Sequence, residues 1–418
     1  MKYLFIVTES ESANGICTKA VMKQLAAEHE VYCITNREWG MPEQFAEDGI
    51  TFCTVKPRLV YRISSMLTRR KLPMRQRKIL QKLNRVLDRG KLVLSLGIWP
   101  LLSPAYARRI EKVARKLCRD TNIDCIIPIY TQIDTLIAAR RIKKTNKDIF
   151  YIPYFLDSLS GGYGLRVFAP EQTRNRALAW ERRLLPNADW IIAMESSRAH
   201  HAQYSASENY YDRILFYDLP LLRTELPAPA APLFSSQNCN IVYVGTLPSG
   251  IRSPEYILKV FQHLKGARYQ LYFVGTSDCA ELNEAAQKDP RIHVVGRCSH
   301  EAAMQYEMQA DILVNIGNTN PYMTPSKIFE YMSFGKPILS TVAVDREPSR
   351  HYLEKYPQAL ILDERERDYE KAAESVCKMI ARSSAEPVDL AGVHEVFYKN
   401  TPGAMADFLE KLDRSQTA

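Results

Sequence analysis

The sequence predicts an α/β protein built from two doubly wound parallel sheets. Three observations carry this: the chain length, an alternation of short β-branched runs with helical stretches, and a restart of that alternation beyond a Pro-rich segment. With 418 residues the chain is too long for one core and fits two domains of ordinary size. Hydrophobic residues make up 46% and charged residues 25%, which excludes disorder for most of the chain.

The first strand is expected at Tyr3–Val7, followed by polar Glu9-Ser-Glu-Ser12. Such a stretch is too short for the core of a signal peptide and suits a buried strand. Further strands are expected at Val31–Thr35, Cys125–Ile129, Ile149–Pro153, Trp190–Met194 and Ile214–Tyr217. Between them Gly15–Ala27, Ala105–Arg119 and Gln172–Leu185 carry apolar residues at helical spacing. Strands apolar on both faces and separated by helices imply a parallel sheet covered on both sides.

A nearly uncharged stretch, Leu219–Leu233, is rich in Pro and Ala and favours an extended connection. Beyond it the pattern restarts: strand Asn240–Gly245, helix Pro254–Leu264, then strands Gln270–Gly275, Ile292–Gly296, Ile312–Asn315 and Pro337–Thr341. Ligands of such sheets bind at the carboxyl ends of the strands. Those ends read Gly245, Gly275, Gly296 and Gly317, residues that permit tight turns and close backbone approach. The expected division is 1–220 for the first domain, 221–238 for the linker, 239–395 for the second domain, and 396–418 for a closing segment.

Nine cysteines are scattered with no Cys-x-x-Cys pair, so zinc-ribbon and redox motifs are excluded and a reducing compartment is expected. The apolar, uncharged stretch Leu92–Ala107, which contains Gly97, Pro100 and Pro104, falls short of the roughly 20 residues of a spanning helix. A cytoplasmic protein is therefore expected. The formal charge of +9 is uneven, with twelve Lys/Arg and one acid, Asp88, between Arg58 and Lys91. That run borders an apolar segment bearing Trp99. Two readings stand side by side: a solvated helix face, or a peripheral contact with the inner, anionic face of the membrane. Nucleic acid is disfavoured, because Tyr61 is the only aromatic in the run.

The segment with most chemistry runs from Asn315 to Ile338. Thr324 suits an N-cap and Pro325 a first turn, so a helix from Pro325 to about Phe334, stopped by Gly335, is expected. Its N-terminus, with the Ser326 hydroxyl and the Lys327 charge, suits a diphosphate. Glu330 follows Lys327 by three residues, on the same helix face. Its carboxylate either accepts hydrogen bonds from both hydroxyls of a ribose or pairs with Lys327 on a solvated surface.

Thr324-Pro-Ser-Lys-Ile-Phe-Glu-Tyr-Met-Ser-Phe-Gly-Lys-Pro337 resembles the donor-binding signature of group 1 (family 4-like) glycosyltransferases of GT-B fold. The resemblance extends from about Asn240 to Leu362. It implies two Rossmann-like domains facing a central cleft. It gives the donor diphosphate to Ser326 and Lys327, the ribose to Glu330, and a further diphosphate contact to Arg252 in Val244–Pro254. It also places Gly245, Gly275, Asn318 and Arg297 around the donor, the last beside the base in Arg291–Cys298. On the first domain it implies a sugar- or acceptor-facing glycine loop, Ser12–Thr18 with Gly15, and a final helix, Thr401–Leu412, crossing back to that domain.

Two departures from the pattern stand out. Tyr322 occupies the position, eight before Glu330, where relatives carry a second glutamate. After the strand at Ile149–Pro153, where relatives often carry a histidine, this sequence has Phe155-Leu-Asp157. Asp157 is then the candidate base or positioner of an acceptor hydroxyl, against a surface or capping role.

No Asp-x-Asp, Gly-x-Gly-x-x-Gly or His-Glu-x-x-His occurs, which disfavours metal-dependent single-domain transferases, dinucleotide enzymes and zinc hydrolases. The resemblance thus implies a retaining, metal-independent transferase. It would take a nucleotide-diphosphate sugar as donor substrate, with no cofactor and no metal site, and a glycan or lipid-linked acceptor in cell-surface polysaccharide synthesis. A non-catalytic GT-B scaffold and a GT-B nucleotide-sugar epimerase are the alternatives.

Overall fold

The structure, a computed structural model, describes residues 1–10, 12–69, 73–101, 103–165, 167–228 and 230–412. It divides into two compact units, one comprising Met1–Asp218 with the segment from Pro402 onward, the other Leu219–Thr401.

In the first unit, strands β1 (Lys2–Ile6), β2 (Glu30–Asn36), β3 (Gln44–Glu47), β4 (Ile50–Val55), β5 (Cys125–Pro128) and β6 (Phe150–Tyr151) form one sheet in the order β3-β4-β2-β1-β5-β6. Every pairing is parallel except that of β3 with β4. The central β1 matches Leu4 to Tyr32 on one side and to Ile126 on the other. A smaller parallel sheet, β7 (Tyr154–Phe155), β8 (Ile191–Met194) and β9 (Ile214–Tyr217), continues from it through a bridge between Ile129 and Tyr154. Leu4, Ile6, Ile34, Ile126, Ile110 and Leu136 share one buried core, which is what strands apolar on both faces require.

Of the run expected as a strand at Ile149–Pro153 only Phe150–Tyr151 forms one, β6, and the separate strand β7 follows it in the other sheet. The hairpin β3–β4 was not anticipated: Gln44–Glu47 is an edge strand with mostly exposed residues and no apolar alternation, and Ile50–Val55 was missed although it is buried, its apolar residues being separated by threonines. The basic run folds into helices Leu59–Arg69 and Met74–Ser95, with residues 70–72, including Arg70 and Lys71, outside the described residues. Trp99 does not extend an apolar surface beside that run. It is buried, with its ring 5.6 Å from that of Phe168.

The second unit holds β10 (Cys239–Val244), β11 (Tyr269–Val274), β12 (Ile292–Gly296), β13 (Ile312–Ile316), β14 (Ile338–Val342) and β15 (Ala359–Asp363), all parallel, in the order β12-β11-β10-β13-β14-β15. Sequence order reverses between β10 and β13, the switch point at which such sheets hold ligands. Ile241, Leu271, Val314, Leu339, Phe261 and Val376 belong to its core.

Among its described residues the Pro-rich stretch has neither helix nor strand, yet it is not a loose connection. Gln305 accepts the Ala230 N–H at 2.9 Å and donates to the Ala228 carbonyl at 3.0 Å. One helical turn on, Gln309 accepts the Leu233 N–H at 2.8 Å. The two glutamines fasten the stretch along the helix His300–Gln309. Close to its start, the Leu222 N–H bonds the Asn400 carbonyl at 2.8 Å, and the Asn400 side chain donates to the Leu219 carbonyl.

The helix Pro402–Glu410 belongs to the first unit. It buries Ala404, Met405, Ala406 and Leu409. Its Ala404 carbonyl accepts the Tyr217 hydroxyl at 3.0 Å, Phe408 stacks on the Tyr217 ring, and Glu410 meets His29 at 3.0 Å. Among the described residues no helix is long and apolar enough to cross a membrane, and no disulfide joins the cysteines.

Candidate functional site

At the carboxyl ends of the second unit's strands, backbone and side chains converge on the switch point. Gly245 and Gly275, just past β10 and β11, have φ of +154° and +134°. The Gly275 N–H bonds the Gly296 carbonyl at 2.9 Å, and the Gly245 N–H bonds Val274 at 2.9 Å. A Cβ on Gly275 would collide with the Gly245 carbonyl oxygen, so glycine there serves close packing of adjacent turns.

Arg252 reaches this edge from the loop after β10. Its Nε donates to Asn318 Oδ1 at 2.8 Å, and the Asn318 amide donates in turn to the Met323 carbonyl at 2.7 Å. Two residues expected near the donor are thus joined, and Asn318 is buried. Arg297 lies exposed in the loop after β12.

The signature helix spans Lys327–Ser333. It is shorter than expected because Pro325 and Ser326 close their turn with tighter i→i+3 bonds, to Ile328 at 3.4 Å and Phe329 at 3.3 Å. Ser326 is already in the helical region and its hydroxyl makes no cap. Gly335, with φ of +62°, ends the turn after it as expected. Tyr331 anchors the helix to β10, exchanging hydrogen bonds with the backbone of Val244 at 3.1 Å.

Glu330 is only 4% exposed, so pairing on a solvated surface is not its situation. The Lys327 ammonium lies 2.7 Å from Glu330 Oε2 and 2.7 Å from Oε1 of Glu307, which is fully buried on the helix His300–Gln309. The charge expected to face a diphosphate is therefore shared between two carboxylates. The other oxygen of Glu330, Oε1, is buried without a hydrogen bond. Near it lie the Arg223 guanidinium, Nη2 at 3.4 Å, and the His300 imidazole, Nε2 at 3.7 Å. Arg223 also touches His300 Nε2 at 2.8 Å, and its backbone N–H bonds the Ser333 hydroxyl at 2.7 Å.

Electrostatics separate the two carboxylates. Burial pushes both upward. For Glu330 the neighbouring Lys327 and Arg223 more than offset this and hold its pKa below the usual carboxylate range. Glu307 is more deeply enclosed and feels the Glu330 charge, so burial prevails and raises it. Burial likewise lowers His300, opposed by Glu330. The arrangement keeps an ionised carboxylate in a dry place with one acceptor oxygen unused, which suits a pair of ligand hydroxyls.

Glu307, Arg223 and His300 are missed by the sequence reading. A signal exists for Glu307, which sits with Ala303 and Met304 on the buried face of its helix. An acid in an apolar stripe marks a buried partner. Arg223 stands in the Pro-rich stretch, where local sequence gives no sign of Glu330.

On the first unit, Asn14 Nδ2 donates to Asp157 Oδ2 at 2.7 Å, bringing the glycine loop to the candidate acceptor residue. Gly15 lies in the first turn of the helix Ala13–Leu25, capped by the Ser12 hydroxyl at 3.1 Å. A side chain at Gly15 would strike the backbone of Glu9 and Ser10, so its smallness lets the helix start pack on that loop. At the same ends of β1 and β5 the Thr8 and Thr131 hydroxyls pair, and Gln132 donates to Glu9.

Residues 238–382 match the family model described as Glycosyl transferases group 1. No curated protein matches the chain. Among solved structures, sucrose-phosphate synthase from Thermosynechococcus elongatus superposes with a TM-score of 0.60 at 14% identity, covering 100% of this chain and 94% of that one. An α,α-trehalose-phosphate synthase (UDP-forming) from Burkholderia xenovorans, in complex with glucose-6-phosphate, gives 0.62 at 10% identity, covering 98% and 99%. Anabaena HepE in complex with UDP-glucose gives 0.57 at 12%, covering 100% and 97%. At such identities the structures attest the shared fold, and the family model identifies the second unit. The chain is a glycosyltransferase of GT-B fold whose second unit carries a group 1 domain.

Proposed function

We propose that this protein transfers a sugar from a nucleotide-diphosphate donor to a glycan or lipid-linked acceptor in cell-surface polysaccharide synthesis. The observation that carries the donor reading is the buried Glu330 carboxylate, anchored through Oε2 and lacking a hydrogen bond at Oε1. A ribose diol supplies the donors that this oxygen lacks. Anabaena HepE, similar in fold, is bound to UDP-glucose, which favours a nucleotide sugar here.

In the proposed reaction the bond between the anomeric carbon and the diphosphate oxygen breaks, and an acceptor oxygen bonds that carbon. The leaving diphosphate takes the electron pair. Arg252, held by Asn318, is the cation assigned to it, with Gly245 and Gly275 shaping the turns beside it and the Ser326 hydroxyl as a further donor, and Arg297 is assigned to the base. Asp157, oriented by Asn14, is assigned to the proton of the acceptor hydroxyl. Retention of configuration and independence of metal follow from the family resemblance.

A second part of the proposal concerns the helix Met74–Ser95. Ile79, Leu83, Val86 and Val93 are all exposed, and their spacing puts them on one face. Lys78, Lys82, Arg85 and Arg89 form a parallel row beside them. An apolar stripe flanked by cations fits an anionic lipid surface, which would bring the enzyme to a lipid-linked acceptor.

Calorimetry with UDP, GDP and ADP tests the donor site. One nucleotide is expected to bind, and Glu330→Ala to weaken it roughly 10- to 100-fold, as expected for hydrogen bonds to a charged acceptor. If folded protein binds no nucleotide, the scaffold reading, which Tyr322 favours, takes its place.

A further inference from the structure

We propose that Glu307 is a positioning residue for donor recognition, acting through Lys327 to fix the orientation of the Glu330 carboxylate. This rests on the reading of Glu330 as the ribose acceptor. Glu307 lies on a different helix from Lys327 and Glu330, and it is fully enclosed. The Lys327 side chain retains 27% exposure and a long flexible stem, so Glu330 alone would not hold it in one place. With its ammonium 2.7 Å from both carboxylates, Lys327 becomes a fixed strut. The strut occupies Oε2 of Glu330 and leaves Oε1 as the acceptor.

Two features support an orienting role over a purely electrostatic one. Burial raises Glu307, so it is the poorer carrier of negative charge in the pair. Its Oε2 is also buried without a hydrogen bond, which is a cost to the fold. Arg223 approaches Glu330 from the side of Oε1 while Lys327 holds Oε2, so the carboxylate is set between two cations. Losing the strut would let the carboxylate rotate toward Arg223 and present its oxygens at a different angle.

The experiment compares UDP, GDP and ADP with their 2′-deoxy counterparts by calorimetry, in wild type, Glu330→Ala, Glu307→Ala, Glu307→Gln and Lys327→Met. Wild type is expected to prefer the ribonucleotide about tenfold or more. Glu330→Ala should abolish the preference. Glu307→Ala and Lys327→Met should reduce it to about threefold or less, and Glu307→Gln, whose amide oxygen still accepts from Lys327, should restore it. A merely structural role for Glu307 would weaken both nucleotides equally and leave the ratio intact. Full preference in Glu307→Ala, alongside its loss in Glu330→Ala, overturns the proposal. If Glu307→Ala does not fold, full preference in Lys327→Met does the same. Unchanged preference in Glu330→Ala overturns the donor-site reading itself, and this inference with it.

Discussion

A methyl group at Gly275 would meet the Gly245 carbonyl, and a φ of +134° is one that residues with a side chain rarely adopt. Two penalties combine there, backbone strain and overpacking against an unyielding carbonyl, each of about 1–3 kcal/mol. Gly275→Ala is therefore expected to destabilise the second unit by about 3 kcal/mol or more. Gly296→Ala has nothing within 4 Å of its new methyl and should cost less. Urea unfolding followed by circular dichroism separates the two, and equal midpoints would refute the packing argument. The same scale shows where the sequence stops being readable. That glycines close the strands is visible in the chain, but that one turn packs on the next is not. Glu330 and its neighbour Lys327 are legible as a pair three residues apart. The other partners of that carboxylate, Glu307 and Arg223, come from another helix and from the Pro-rich stretch, so only the folded chain assembles the cluster.

Among elements, buried strands were the most legible, because β1, β2, β5, β10, β11, β13 and β14 are mostly apolar runs that need two covered faces. Edge elements were not, apart from β12, which its Ile-His-Val-Val-Gly run marks although Val294 and Val295 are exposed. β3 is exposed and β15 mostly half-buried, so neither shows the pattern that marks a core strand. The helix Met74–Ser95 was legible as a charge run, whereas its exposed apolar stripe required knowing which face the protein covers. The stripe supports a prediction at this scale. Replacing Ile79, Leu83 and Val86 with Ser is expected to abolish flotation with liposomes containing anionic lipid, while leaving nucleotide affinity unchanged. Neutralising Lys82, Arg85 and Arg89 should make the residual binding insensitive to salt, since about 1 kcal/mol per cation near such a surface is electrostatic. Undiminished flotation of both variants would remove this helix from the proposal.

For the whole molecule, the two units differ in how their chain is assembled. The second is one continuous stretch, Leu219–Thr401, whereas the first takes its final helix from beyond it. That helix buries Met405, Leu409 and two alanines, and side chains of this size contribute about 1.5–3 kcal/mol each when fully covered. A chain ended at Thr401 should lose about 4 kcal/mol from the first unit and little from the second. Two-phase urea unfolding would show the first unit's transition moving to lower urea while the other stays in place. A shift of both would mean that the helix supports more than the unit it packs on.

The pairing of Leu222 with Asn400 has a temporal meaning as well. It brings the entry and exit of the second unit together, so that unit is an insertion within a loop of the first. A ribosome therefore delivers the whole of the inserted unit before the host can acquire its last helix. The insertion is free to fold as soon as it emerges. The host waits with all its strands made but its seat for Met405 and Leu409 open, and it gains that cover only when the chain returns to it.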